Sequence, residues 1–129
     1  MYRPQEIEIR LASSHPLWGH FLWNASKCTS EYLDSHPELV KDKYVLELGA
    51  GGALPSLISA TLGAKKTVIT DYPDAELLKT IEWNVAHSGI PSDSLDISVK
   101  VKTLVSLYKY MCASILIHFF IDCLFFIIK

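Results

Sequence analysis

The sequence predicts an α/β fold, a parallel β-sheet covered by helices. Three observations carry this reading. Helix-like and strand-like segments alternate from about residue 21 to residue 101, and such alternation favours parallel strands joined by helical crossovers. The stretch "VLELGAGGALPSL", Val45–Leu57, passes from an apolar strand through a glycine turn into a helix. A second strand ends at Asp71 and leads into another helix.

The bounds agree with one small domain. A chain of 129 residues is long enough for a core, and half of its residues are apolar. The net charge is −2 with no basic block, which excludes a nucleic-acid footprint. Three cysteines without a CxxC pair point to a reducing compartment, the cytoplasm, rather than to a disulfide framework. The start, "MYRPQEIEIR", is charged and lacks the apolar core of a signal peptide.

Each element follows in order. "EIEIRLA" alternates polar and apolar residues, as a half-buried strand does. His15-Pro16 should be extended or turned. From about Phe21 to Leu33 the spacing becomes helical, with Phe21, Ala25, Cys28 and Tyr32 on one apolar face. On that face Cys28 reads as core rather than nucleophile. "YVLELG" is the next strand. Ala53 to Leu62 is a helix that accepts Pro55 in its first turn, and Gly63 ends it. "KKTVITDY" is the second strand of the alternating unit. "DAELLKTIEWNVAHSG" is a helix with Leu77, Leu78, Ile81 and Val85 as its buried stripe. "LDISVKV" is a third strand.

The turn is where ligand chemistry belongs. Gly49, Ala50 and Gly51 lie between a strand's C-terminal end and a helix N-terminus, where glycine permits unusual φ and close backbone approach. Open α/β sheets bind ligands at this edge. Asp71 stands 22 positions beyond Gly49 at the end of the next strand, and an ionised carboxylate there suits the two hydroxyls of a ribose. A dinucleotide fingerprint needs G-x-G-x-x-G/A, but Leu54 takes the last position and Pro55 follows. Glu47, inside the strand, suits a ligand carrying an ammonium group rather than a pyrophosphate. S-adenosylmethionine has an ammonium, a sulfonium and a ribose, and no phosphate. A glycine turn and an outward-facing Glu47 would make a purely structural alternative. An NAD-binding oxidoreductase and a non-enzymatic membrane-associated protein are the functional rivals. His15 and His20 have no completing ligand set in the sequence, so no metal site is expected. Trp18 and Trp83 read as packing residues.

"VLELGAG" resembles the first motif of the seven-strand, class I methyltransferases, which have a Rossmann-like fold. Together with "SHPLWGHFLWNAS" and "GAKKTVITDYPD" it resembles the fungal elongation-factor methyltransferases once described as nicotinamide N-methyltransferase-like, over about residues 5 to 100. The resemblance implies S-adenosylmethionine as cofactor and translation elongation factor 1-alpha as protein substrate, methylated at its N-terminus or a nearby lysine. It implies cofactor contacts from Trp23, Glu47, Gly49, Ala50, Gly51 and Asp71. It names no catalytic base, because the family's later segments find no match here.

The expectation is therefore a partial, N-terminal methyltransferase domain over residues 1–101, inactive in this short form, with an apolar tail at 102–129. From Tyr110 to Ile128 the tail has 19 residues with only Ser114, His118 and Asp122 clearly polar. Three readings of it stand: sequence foreign to the family, a membrane anchor, or a core helix. The length suits a transmembrane helix, but Asp122 opposes one by about 2.5–3.5 kcal/mol at a helix centre.

Overall fold

A computed structural model describes residues 6–13, 21–90, 97–101, 115–120 and 123–128. Helix α1, Asn24–Ser35, leads through a short 3-10 turn at Pro37–Leu39 into strand β1, Tyr44–Leu48. Helix α2 is Leu54–Thr61, strand β2 Lys66–Asp71, helix α3 Ala75–His87 and strand β3 Ile97–Val101. Two more strands follow, β4 at Ile115–Phe120 and β5 at Cys123–Ile128. The sheet order is β3-β2-β1-β5-β4. Strands β1, β2 and β3 are parallel, with Leu48 opposite Thr70 and Asp71 opposite Val101. The expected α/β alternation and parallel unit are therefore present, and the carboxyl ends of β1 and β2 lie side by side.

The local reasons are legible at the helix ends. Helix α3 starts because Asp74 caps it: Asp74 Oδ1 accepts from the backbone N–H of Glu76 at 2.9 Å and of Leu77 at 3.0 Å. Gly63, at φ 90°, carries the chain out of α2. Buried and half-buried residues alternate along β1 from Val45 and along β2 as far as Ile69, after which Thr70 is buried too, so each strand presents one well-covered face. Val45 packs with Leu33, Val40, Leu62 and Ala64. Ile69 packs with Ala50, Ala53 and Ile81, joined by Val85. The alternate residues Leu46, Leu48 and Val68 are only half-buried.

Three expectations are corrected. Glu6–Ala12 is not a strand of the sheet. Its alternating burial is present, but the segment is an extended strap whose backbone bonds to the side chain of Asn84 in α3. In α1 the buried residues are Ser26, Thr29, Ser30 and Leu33. Phe21, Cys28 and Tyr32 are exposed, so Cys28 is not a core residue. Small side chains let α1 pack against α2, whose own buried face holds Ser56, Ser59 and Ala60.

The third correction is the tail, which contains two strands rather than a helix. They pair antiparallel with each other, and β5 pairs antiparallel with β1. Among the described residues no helix is long and apolar enough to cross a membrane. The contiguous apolar run had no period to decide between helix and strand, and its β-branched and aromatic residues favour the extended form. His15, Trp18 and His20 lie outside the described residues.

Candidate functional site

The turn after β1 is built from left-handed residues. Gly49 has φ 66°, Gly51 φ 53°, and Ala53, the residue that opens α2, φ 61°. The first two positions favour glycine for this reason alone. A Cβ placed on Gly49 or Gly51 would meet no other group of the described residues within 4 Å. The peptide backbone of the turn is therefore open at the carboxyl ends of β1 and β2.

Asp71 reaches the turn from the end of β2. Its Oδ2 accepts from the Gly51 N–H at 2.7 Å, and its Oδ1 accepts from the Tyr72 N–H at 2.6 Å. These two bonds orient the carboxylate. An ionised carboxylate has about four acceptor positions, so two bonds leave capacity on a group that is only partly buried. The strands are tied at the same level: Ala50 N–H donates to Thr70 O at 3.1 Å, and Thr70 Oγ1 donates to Glu47 O at 2.8 Å.

Glu47, expected as the partner of a ligand's ammonium group, is enclosed by the fold. It is 0% exposed. Its Oε2 accepts from the Ser56 N–H at 3.1 Å and from the Ser56 hydroxyl. Ala53 has no side-chain group to cap α2. The carboxyl group of Glu47, arriving from the neighbouring strand, accepts a first-turn N–H instead. Its geometry is that of a bracket beneath the turn.

Trp23 lies immediately before α1, 47% exposed, edge-to-face with Phe21 at 6.3 Å between ring centroids. Its neighbour Leu22 comes within 3.7 Å of a Cβ built on Gly52, which brings the Trp23 backbone near the turn. Ala50 is buried and packs with Ala53 and Ile69. The structure thus brings Gly49, Ala50, Gly51 and Asp71 together, sets Glu47 below them and Trp23 nearby. Sequence reading missed Asn84. Its side chain is fully buried and donates to Gly52 O at 3.0 Å. An asparagine among the apolar positions of α3 was the available signal. Trp83, expected to pack, is half-buried and lies between the Arg10 guanidinium, 4.0 Å from its ring centroid, and the His87 ring, stacked at 3.9 Å.

A family pattern described as lysine methyltransferase matches residues 3–120. The matched span continues past residue 101, where the sequence reading placed a break. The chain is 58% identical over 84 residues to the protein N-terminal and lysine N-methyltransferase EFM7 of Kluyveromyces lactis, covering 65% of this chain and 31% of that protein. The EFM7 of Candida glabrata is 52% identical over 96 residues, covering 74% and 37%. The efm7 of Schizosaccharomyces pombe is 52% identical over 82 residues, covering 64% and 32%. The chain spans about a third of the length of these relatives.

Proposed function

This chain belongs to the lysine methyltransferase family, and we propose that its glycine turn binds S-adenosylmethionine for methyl transfer to a protein amine. The single observation that carries the reading is the juxtaposition of Asp71 with the open backbone of Gly49 and Gly51. The residues present fit the cofactor, since among the described residues no group lies within 4 Å of a Cβ on Gly49 or Gly51 and a preoriented carboxylate borders that space.

Asp71 accepts the ribose hydroxyls while its bonds to Gly51 and Tyr72 hold it in place. Gly49, Ala50 and Gly51 let the backbone approach the ligand. Glu47 supports the turn from below, and Trp23 lends an aromatic face at the rim. Bound there, S-adenosylmethionine supplies a sulfonium methyl group to an amine whose lone pair is free. Positioning is the main contribution the protein makes to such a transfer.

The relatives' names include both N-terminal and lysine methylation, which supports a protein N-terminal amine or a lysine as the acceptor. The resemblance noted above favours translation elongation factor 1-alpha as the substrate and the cytoplasm as the compartment. Residues 1–101 are assigned the cofactor-binding part.

Titration calorimetry with S-adenosylmethionine and, separately, NAD tests the reading. The expected result is binding of the former alone, weakened about ten- to a hundredfold in Asp71→Ala, as loss of charged hydrogen bonds predicts. Unchanged affinity in that variant removes Asp71 from the site. Binding of NAD alone replaces the methyltransferase reading.

A further inference from the structure

The strap at residues 6–13 is attached to the glycine turn through one side chain. Asn84 Oδ1 accepts from the Arg10 N–H at 2.7 Å, and Asn84 Nδ2 donates to Arg10 O at 2.8 Å. The amide therefore pairs with Arg10 as a neighbouring strand would. The same Nδ2 donates to Gly52 O at 3.0 Å. Both partners of the nitrogen are carbonyls, which only accept, so the orientation of the amide is fixed. At its far end the strap is held again, where Ser13 N–H and Oγ donate to Glu76 Oε1 at 3.0 and 2.8 Å.

Gly52 is also where the strap presses on the turn. A Cβ built there would stand 2.8 Å from Ile9 Cγ2 and 3.3 Å from Leu11 Cδ2. Gly52 is not among the glycines with positive φ, so its backbone would accept alanine. What opposes a side chain at 52 is the strap itself. Two groups thus hold adjacent residues of the turn: Asp71 holds the N–H of Gly51, and Asn84 holds the carbonyl of Gly52.

We propose that Asn84 is a positioning residue, which clamps the strap across Gly52 and so keeps the glycine turn in its ligand-ready form. The consequence for binding rests on the cofactor reading above, whereas the clamp itself does not. The strap and the turn are then one mechanical unit, and loosening either loosens the other.

The test uses the full chain and two independent perturbations. Asn84→Asp keeps the shape and the acceptor but sets an oxygen against two carbonyls. Gly52→Ala displaces the strap by contact, and adding Ile9→Ala removes the nearest obstacle. Hydrogen exchange, resolved for peptides covering 6–13 and 49–54, is read without ligand. Asn84→Asp and Gly52→Ala are each expected to speed exchange in both peptides about tenfold or more, as loss of a buried bond or a close contact predicts, and Ile9→Ala is expected to restore the Gly52→Ala chain. S-adenosylmethionine affinity, measured on the same samples, should fall and recover in parallel.

Faster exchange at 6–13 with an unchanged turn overturns the proposal. So does a Gly52→Ala chain that matches the wild type or is not rescued. Where Asn84→Asp fails to fold, the Gly52→Ala and Ile9→Ala pair decides. Wild-type protein that binds no S-adenosylmethionine overturns the cofactor reading instead, and the ligand-free exchange still decides the clamp.

Discussion

The two carboxylates of the site differ by burial, and that difference separates their expected effects. Asp71 is partly buried beside the turn, with acceptor capacity left on its oxygens. Glu47 is fully enclosed and bonded to both polar groups of Ser56. Glu47→Ala leaves those donors buried without this acceptor, at about 1–3 kcal/mol for each group left unsatisfied. The expected outcome is a chain destabilised by about 2 kcal/mol or more in urea titration, with cofactor affinity in the folded fraction little changed. The reverse pattern, normal stability with lost affinity, would return Glu47 to the role of ligand contact. At Gly51 two effects coincide. A valine must adopt φ 53°, which is costly for a branched residue, and its side chain enters the open space over the turn. Gly51→Val should therefore lose cofactor binding altogether in calorimetry, a larger effect than Asp71→Ala. Residual binding at a tenth of the wild-type affinity would mean that the ligand lies elsewhere.

At the level of elements, the parts legible in the sequence are those whose signals are local. Asp74 and Gly63 mark helix ends through backbone chemistry alone, and the structure places α3 and the end of α2 within a residue or two of expectation. Asp74→Ala should remove the two capping bonds and cost about 0.5–2 kcal/mol, read as a shift in the urea midpoint with an unchanged slope. An unchanged midpoint would show that tertiary contacts alone fix the start of α3. What the sequence did not reveal depends on partners. Alternation in Glu6–Ala12 reports burial on one side, and a strap lying on a helix meets that condition as well as a strand does. In α1 the apolar residues suggested the buried face, but close approach to α2 is achieved by Ser26, Thr29 and Ser30. The bonds from Ser56 to Glu47 were not legible either, because they depend on how α2 packs over the turn. Asn84 was passed over because its three partners lie 74 and 32 positions away in the chain.

For the whole molecule, the arrangement of the sheet determines what is left uncovered. Strand β5 pairs with β1 and covers that edge of it. The outer row of the sheet on that side passes to β4, Ile115–Phe120, whose sequence "ILIHFF" contains no residue with a permanent charge. Long apolar edge strands template pairing with a further chain, and proteins oppose this with lysine at the edge. The half-buried Leu46, Leu48 and Val68 add apolar surface on the sheet. The 129-residue chain is therefore expected to self-associate as its concentration rises, which would also hinder access of a protein substrate to the turn. Sedimentation velocity over a concentration series measures this directly. Ile117→Lys puts a charge into the edge strand, and it should shift the population toward monomer while leaving the far-UV circular dichroism unchanged. Methyl transfer from labelled S-adenosylmethionine, assayed on the same fractions, then connects assembly to activity. If association masks the site, the lysine variant transfers more methyl groups per chain than the parent. If the parent is already monomeric throughout the series, the edge of β4 is not an associating surface, and low transfer by the parent would have to arise within the cofactor site itself.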